Sequence, residues 1–168
     1  MKRVLKLSIV SLLLFSFIIP YTAFAETSEV DAQRQGIVEI SEEEFYSMLP
    51  DNFDSGISTY ASGLISSYII SIGQDGNKLT ILGITRGVVD VKKCGFTKVT
   101  LQQRKNSSSS WTDYKTYKDL YKEQSIYNLC IELFVPKEYQ YRVICTHYAK
   151  KNAFSTEKID NSTKVYQF

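Results

Sequence analysis

The sequence has little of what most catalytic and metal sites are built from. Its 168 residues contain one histidine, His147, and three cysteines, with no C-x-x-C pair among them. A multi-histidine metal site or a zinc ribbon therefore cannot be assembled from this chain. The motifs G-x-S-x-G and H-E-x-x-H and a glycine-rich phosphate-binding loop are also missing. We predict no catalytic residue, no metal site and no cofactor.

Long apolar runs are scarce as well. The clearest is Leu7 to Ile19, preceded by basic residues and followed by Ala23-Phe24-Ala25. A positive start, a short apolar run and an A-x-A site are typical of a secretory signal peptide. The run is shorter than the roughly 20 residues that span a bilayer. We predict cleavage after Ala25, secretion to the extracellular space and no membrane anchor.

Charge is unevenly distributed along the chain. Residues 26–60 hold nine acids and one base, whereas residues 61–168 hold sixteen bases and nine acids. One interpretation is an ordinary solvated surface with a polar leader. The other is that the acidic arm docks on the basic body, or that the body contacts an anionic cell-wall polymer. Export argues against a nucleic-acid partner.

A short helix is predicted over about 42–49. Ser41 and Glu44 form the S-x-x-E capping box, and Pro50 ends the segment. The glutamates of the first turn are interpreted as capping residues rather than as a metal or acid–base site. Three residues share one helical face and need a surface to dock on, namely Phe45, Met48 and Leu49.

Three regions follow from these signals. Residues 1–25 are the signal peptide, residues 26–60 an acidic leader that contains the helix, and residues 61–168 a β-sandwich domain. Within the leader, residues 26–40 are predicted to be mobile because they hold few large apolar side chains. Residues 51–63 are interpreted as a linker.

The stretch from Glu138 to Tyr148 is the clearest strand. Tyr139, Tyr141, Val143, Cys145 and His147 alternate with polar and aromatic neighbours, so this strand is predicted to place one face on a core. Gly83 is predicted to mark a bulge or a close backbone approach, and residues 118–124 a loop. The predicted strands are 64–72, 78–85, 96–104, 111–117, 125–135, 138–148 and a broken last strand at 154–158 and 163–168.

Seven short strands with regular turn signals predict an all-β fold, an antiparallel β-sandwich of immunoglobulin-like type. The pieces VTLQQRKNSSSSWTDYKTY and EYQYRVICTHYAKKNAFST resemble fibronectin type III domains of bacterial secreted proteins. This resemblance implies that Tyr139 takes the tyrosine-corner position at the entrance to the sixth strand. The tryptophan that usually lies early in those domains is not seen in this sequence. The resemblance therefore indicates a divergent relative at most.

At finer grain the motifs VKKCGF, YRVICTHYAKK and FSTEKI resemble a family of small secreted proteins of Gram-positive bacteria whose function is uncharacterised. The resemblance covers about residues 61–168. It implies export and a compact β domain, and it assigns no catalytic residue.

The three cysteines leave one unpaired in any disulfide scheme. Cys145 lies on the core face of its strand, whereas Cys130 alternates with the apolar residues of its strand and is predicted to face outward. In an immunoglobulin-like sandwich the third and sixth strands are neighbours, so we predict a Cys94–Cys145 disulfide and a free Cys130. The alternative is that all three are reduced and buried.

His147 shares a strand face with Cys145, and such a pair could form a nucleophile and base. We favour the simpler interpretation that His147 is a residue at the edge of the core, because a cysteine in a disulfide cannot attack a substrate.

Aromatic residues cluster near one predicted hairpin, at Trp111, Tyr114, Tyr117 and Tyr121. Such rings could contact a sugar or a protein partner, or they could serve cross-strand packing. We interpret the protein as a secreted, non-enzymatic, monomeric binding protein acting at or outside the cell surface. Its partner is an unknown extracellular protein or a cell-wall or polysaccharide ligand. The alternatives are a carbohydrate- or cell-wall-binding module and a small secreted hydrolase.

Overall fold

The computed structural model describes residues 36–49, 58–59 and 63–168. The predicted signal peptide, the first part of the leader, Pro50 and most of the linker lie outside these residues. Among the described residues, no helix has the length and apolar character needed to cross a bilayer.

Antiparallel strands make up most of the described chain. The elements in order are β1 (Ile37–Glu39), α1 (Glu42–Met48), β2 (Ser58–Thr59), β3 (Ile65–Asp75), β4 (Lys78–Gly87), β5 (Lys93–Arg104), β6 (Thr112–Lys122), β7 (Ile126–Leu133), β8 (Gln140–Asn152), β9 (Ser155–Ser162) and β10 (Tyr166–Gln167).

These strands form two sheets. The first sheet has the order β1-β7-β4-β3-β2, and the second has the order β10-β8-β5-β6, with β9 also paired to β8. β9 and β10 pair with successive parts of β8, so they form one interrupted edge, as the broken last strand predicted. The structure confirms an all-β fold of two antiparallel sheets with one short helix.

The core lies between the sheets and follows the predicted alternation. Along β8, every second residue from Tyr141 to Ala149 is buried, and the residues between them are only partly buried. Along β7, Tyr127, Leu129, Ile131 and Leu133 are buried in the same cluster. The predicted core faces of both strands are therefore confirmed.

Helix α1 begins with the predicted capping box. The Ser41 hydroxyl accepts the Glu44 amide proton at 3.1 Å, and the Glu44 carboxylate accepts the Ser41 amide proton at 2.8 Å. The backbone amide of Ser41 also lowers the pKa of Glu44. Glu44 thus caps the helix, and Glu42 pairs with Arg86.

Through Phe45, the helix docks on the side of the first sheet that faces away from the second sheet. Phe45 is fully buried against Ile69, Leu82, Ile84 and Cys130. The prediction that Cys130 faces outward is therefore correct for the direction of its side chain and wrong for its exposure to solvent. Its side chain does point away from the main core, but the helix covers that face and leaves Cys130 only 4% exposed.

The leader contributes a strand that the sequence did not predict. Residues Ile37–Glu39, assigned to a mobile leader, form β1 and pair with β7. The prediction that residues 118–124 form a loop is also wrong, because β6 continues to Lys122. Asp119, at a φ of 55°, interrupts the alternation there and lets Leu120 enter the core.

The predicted Cys94–Cys145 disulfide is not formed, and all three cysteines are free and buried. β5 and β8 are neighbours as predicted, but their register separates the two thiols. Cys94 lies opposite Ala149, and Cys145 lies opposite Val99. Four residues of strand correspond to about 13 Å, whereas bridged cysteines need Cα atoms within about 7 Å.

Thiol titration without reductant tests this arrangement. We expect three reactive thiols per chain in denaturant and very slow reaction in the folded protein, because burial raises the pKa of Cys94 to about 12 and that of Cys130 to about 11. Only one reactive thiol in denaturant would mean that a disulfide exists.

The hydrogen bond expected of Tyr139 at the entrance to the sixth predicted strand is made by Tyr141. The Tyr141 hydroxyl donates to the backbone oxygen of Pro136 at 2.6 Å, across the turn that leads into β8. Tyr141 is fully buried, whereas Tyr139 is only partly buried against the same cluster. The hydrogen bond fixes the entrance of β8, because it satisfies a buried hydroxyl with the backbone of the turn.

Gly83 marks a close approach, as predicted. A Cβ atom there would lie 2.7 Å from Cζ of Phe96, across the core.

Candidate functional site

The four aromatic residues predicted to contact a ligand do not lie together. Tyr117 is 1% exposed and belongs to the core, where its hydroxyl has no hydrogen-bond partner and burial raises its pKa to about 12. Tyr114 contacts Tyr141 edge-on, with ring centroids 6.3 Å apart. Tyr117 therefore serves packing and Tyr114, which is 38% exposed, packs only its edge on Tyr141, whereas Trp111 and Tyr121 belong to a different surface.

That surface is the side of the second sheet that faces away from the first sheet, here called the outer face. It is formed by the residues of β8 between the buried ones, from Gln140 to Lys150, and by their neighbours on β5, β6 and β9.

Trp111 lies at one end of the outer face, in contact with two arginines. The guanidinium carbons of Arg104 and Arg142 are each 4.4 Å from the Trp111 ring centroid. Cation–π contacts at this distance orient the guanidinium groups. The end of the sheet therefore carries an aromatic ring and two fixed cations on one small area.

Side-chain hydrogen bonds hold both arginines in place. Arg104 Nε donates to Gln140 at 2.8 Å, and Arg142 Nε donates to Gln102 at 2.8 Å. Gln102 in turn donates to Asp113 at 2.7 Å. Each of these bonds uses the Nε–H, which leaves the terminal NH2 groups of Arg142 available for a planar anion such as a carboxylate or phosphate.

A second aromatic pair lies at the other end of the outer face. Tyr121 and Tyr148 contact each other with ring centroids 5.0 Å apart, and Lys93 Nζ lies 5.2 Å from the Tyr121 ring. The two tyrosines are opposite Gly95 on β5, which has no side chain to separate them. Six residues of β8 separate Arg142 from Tyr148, or about 20 Å.

A shallow groove of about 470 Å³ lies between these two ends. It is lined by Lys98, Ile144, Cys145, Thr146, Asp160, Asn161 and Ser162. Thr146 donates to Asp160 at 2.6 Å, so that carboxylate is already engaged. The groove floor is polar and offers hydroxyl, amide and ammonium groups to a ligand.

The outer face is strongly basic among the described residues. Its acids are Asp113, Asp160 and Asp119, and each accepts a hydrogen bond from a neighbour on the sheet, Asp119 from Tyr121. The positive potential over the face therefore favours a polyanion. The basic residues placed there by the strand register are Lys93, Lys98, Arg104, Lys118, Arg142, Lys150 and Lys158.

Cys145 and His147 do lie together, but inside the protein. Cys145 Sγ is 3.4 Å from His147 Nε2, and Thr85 Oγ1 is 2.7 Å from His147 Nδ1. Thr85 also donates to the backbone oxygen of Gly95 at 3.1 Å. A neutral imidazole that donates from Nδ1 to Thr85 and accepts the thiol proton at Nε2 gives Thr85, His147 and Cys145 each a hydrogen-bond partner.

This buried row of hydrogen bonds does not activate Cys145 as a nucleophile. Burial lowers the pKa of His147 to about 3 and raises that of Cys145. A nucleophilic cysteine needs a lowered pKa and access to the substrate. The pair is therefore a structural part of the core, in keeping with the interpretation of His147 as a core residue.

The outer side of the first sheet carries a smaller cavity of about 240 Å³ beside the helix. It is lined by Met48, Ser71, Gly73, Gln74, Asp75, Thr80 and Leu82. Within the described residues, no cluster of three or more histidine, cysteine or acidic side chains could hold a metal ion.

Sequence reasoning identified Trp111 and missed its two arginines. Arg104 and Arg142 occupy outward positions of their strands, and the alternation of residues along each strand predicts these positions. Their meeting with Trp111 depends on the pairing of Gln102 with Arg142 and Arg104 with Gln140, which only the register shows. Comparison with protein-family models, curated proteins and solved structures finds no match to this chain.

Proposed function

We propose that the protein is a secreted, non-enzymatic binding protein that acts at or outside the cell surface. Its contact surface is the outer face, and its ligand is an anionic cell-wall polymer or polysaccharide. Export rests on the sequence of residues 1–25, and the ligand class rests on the chemistry of the outer face.

One observation carries the ligand class. Trp111 lies 4.4 Å from two guanidinium groups whose orientation is fixed by Gln140 and Gln102. An indole ring offers a sugar an apolar surface, and oriented guanidinium groups offer a phosphate or carboxylate paired donors. A polymer that alternates sugar or polyol units with anionic groups uses both.

We also propose that the two sheets form a sandwich of fibronectin type III-like type. The pairing β3-β4-β7 in the first sheet and β9/β10-β8-β5-β6 in the second supports a seven-stranded, fibronectin type III-like sandwich to which β1 and β2 are added. The Tyr141–Pro136 hydrogen bond supports the assignment, since it has the form of a tyrosine corner. Membership of the Gram-positive family of small secreted proteins rests on the sequence motifs alone.

The hydrolase alternative has less support. Cys145 and His147 are its best candidate pair, and both are sealed in the core with pKa values shifted against nucleophilic attack. A carbohydrate-binding module, in contrast, is the same proposal with a neutral ligand, and the salt dependence of binding separates the two.

The test is a pull-down of residues 26–168 on purified Gram-positive cell walls and on insoluble neutral polysaccharides. We expect retention on walls that falls steeply as salt rises, because screening weakens contacts between exposed charges. Trp111→Ala is expected to weaken retention about tenfold, since stacking and cation–π contacts each contribute on the order of 1 kcal/mol.

A matched pair of double variants locates the site. Arg104→Gln/Arg142→Gln removes two cations from the outer face, whereas Lys78→Gln/Lys122→Gln removes two cations that pair with Glu132 and Glu39. We expect only the arginine variant to lose retention. Equal loss in both variants would indicate net charge alone, and no retention by the unaltered chain would exclude wall binding.

A further inference from the structure

Two large apolar side chains are fully exposed at the same end of the second sheet. Val89 is 99% exposed in the loop between β4 and β5, and Phe154 is 101% exposed in the turn between β8 and β9. The two loops are joined, because Lys151 Nζ lies 2.7 Å from the Asp90 carboxylate. The amide of Lys92 also donates to the backbone oxygen of Lys150 at 2.9 Å.

Both loops are tight, hydrogen-bonded turns. The Val91 amide donates to Val88 O at 2.9 Å and so places Val89 at the corner of the turn. The Phe154 amide donates to the Asn152 side chain at 2.9 Å. Corner positions of turns usually carry glycine, asparagine, aspartate, proline or serine. Valine and phenylalanine held there by the backbone are therefore two apolar projections in fixed positions.

Lysines surround the two apolar tips. Asp90 is ion-paired with Lys151, and the Glu157 carboxylate accepts the Ile65 amide proton at 2.7 Å. The nearby acids are thus already engaged, while several ammonium groups are free to face a surface beyond the tips. The lysines next to the tips that are not paired with Asp90 are Lys92, Lys93, Lys150 and Lys158.

From this geometry we propose that the end of the sandwich carrying Val89 and Phe154, here called the apolar tip, binds an anionic lipid surface. The two side chains enter the boundary between headgroups and acyl chains, and the lysines contact the lipid phosphates. Two separate projections with lysines around them fit a planar charged surface. The contact needs no membrane anchor. It shares Lys93, Lys150 and Lys158 with the outer face but uses neither Trp111 nor its two arginines, so the two proposals can fail separately.

The test is sedimentation of residues 26–168 with phospholipid vesicles, using a chain without the apolar stretch of residues 7–19, which would itself bind lipid. Vesicles of phosphatidylcholine alone are compared with vesicles that also contain phosphatidylglycerol. We expect binding to the anionic vesicles only, with a partition coefficient that falls as salt rises. Val89→Ser/Phe154→Ser is expected to lower that coefficient at least about tenfold.

The control variant is Phe134→Ser. Phe134 is also exposed, at 67%, but it follows the end of β7 that pairs with the start of β4, at the opposite end of the sandwich. We expect it to bind like the unaltered chain. Neither Val89 nor Phe154 packs in the core, so the double variant is expected to keep its thermal unfolding midpoint. Equal vesicle binding by the double variant and the unaltered chain, binding to neutral vesicles alone, or no binding at all would each overturn the proposal.

Discussion

Gly95→Ala is expected to destabilise the protein by about 4 kcal/mol or more, enough to abolish folding of a domain of ordinary stability. Gly95 has a φ of 148°, a conformation that residues with a Cβ atom rarely adopt. An added Cβ would also overlap the backbone oxygen of Leu120 and lie 2.6 Å from Cα of Tyr121. Backbone atoms of a paired strand cannot move aside, so the overlap separates β5 from β6.

Two other glycines provide a graded comparison for this prediction. A Cβ at Gly83 would meet the tip of the Phe96 ring at 2.7 Å, and a Cβ at Gly73 has no neighbour within 4 Å. Because a side chain can shift, Gly83→Ala is expected to cost about 1–3 kcal/mol. Gly73→Ala is expected to change stability by less than about 1 kcal/mol. Urea unfolding of the three variants measures the order, and a Gly95→Ala protein as stable as Gly73→Ala would contradict the described register of β5.

The second large effect is on acid stability. Between pH 7 and pH 4.5 the free energy of unfolding is expected to fall by about 3 kcal/mol through His147 alone. Burial lowers the pKa of His147 to about 3 in the folded protein, from an ordinary value of 6.5. Below pH 6.5 the unfolded chain therefore binds a proton that the folded chain does not bind, and stability falls as pH falls until about pH 3.

The groups around His147 explain the direction. Its ring contacts Tyr68 and Phe96 at centroid distances of 4.9 and 4.6 Å, and its nitrogens face Thr85 and Cys145. None of these neighbours carries a negative charge that would stabilise an imidazolium ion. Protonation also removes the acceptor at Nε2 and leaves the thiol proton of Cys145 without a partner.

Comparison of the unaltered chain with His147→Gln isolates this effect. His147 is the single histidine, and carboxylates whose pKa is lowered by their partners, such as Glu39 and Asp90, lose their contribution only below their ordinary range near 4. Urea unfolding at pH 7 and pH 4.5 is therefore expected to differ by about 3 kcal/mol for the unaltered chain and by much less for the variant. The same pH dependence in both proteins would mean that His147 is not neutral in the folded state.

The alternation of residues predicted the faces of the strands well. It assigned the buried residues of β7 and β8, and the capping box assigned the start of the helix, because both signals are local in the chain. The alternation does not predict which other segment of the chain packs against a strand face. Cys130 was assigned to solvent because its strand neighbours are polar, whereas the fit of Phe45 over it depends on a segment more than eighty residues earlier.

The register between paired strands is the other quantity that the sequence pattern does not predict. Cys94 and Cys145 are on neighbouring strands, as predicted, but the pairing of Cys94 with Ala149 keeps them apart. The same register brings Arg104 and Arg142 to Trp111 and places Tyr121 beside Tyr148 across Gly95. The candidate site was therefore only partly foreseeable, since its aromatic residues are visible in the sequence and their grouping is not.

The interrupted margins of the second sheet have a consequence for association. On one margin the strand is divided between β9 and β10, and Thr163 fills the gap by exchanging hydrogen bonds with Val143 through its amide and its hydroxyl. On the other margin Asp119 breaks the regular pleat of β6. A second copy extends a sheet best along a long row of evenly spaced amide and carbonyl groups, and each margin offers a shorter row than an uninterrupted strand would. Intermolecular sheet growth is thereby disfavoured, also at the high local concentrations that the proposed binding to a polymer would create.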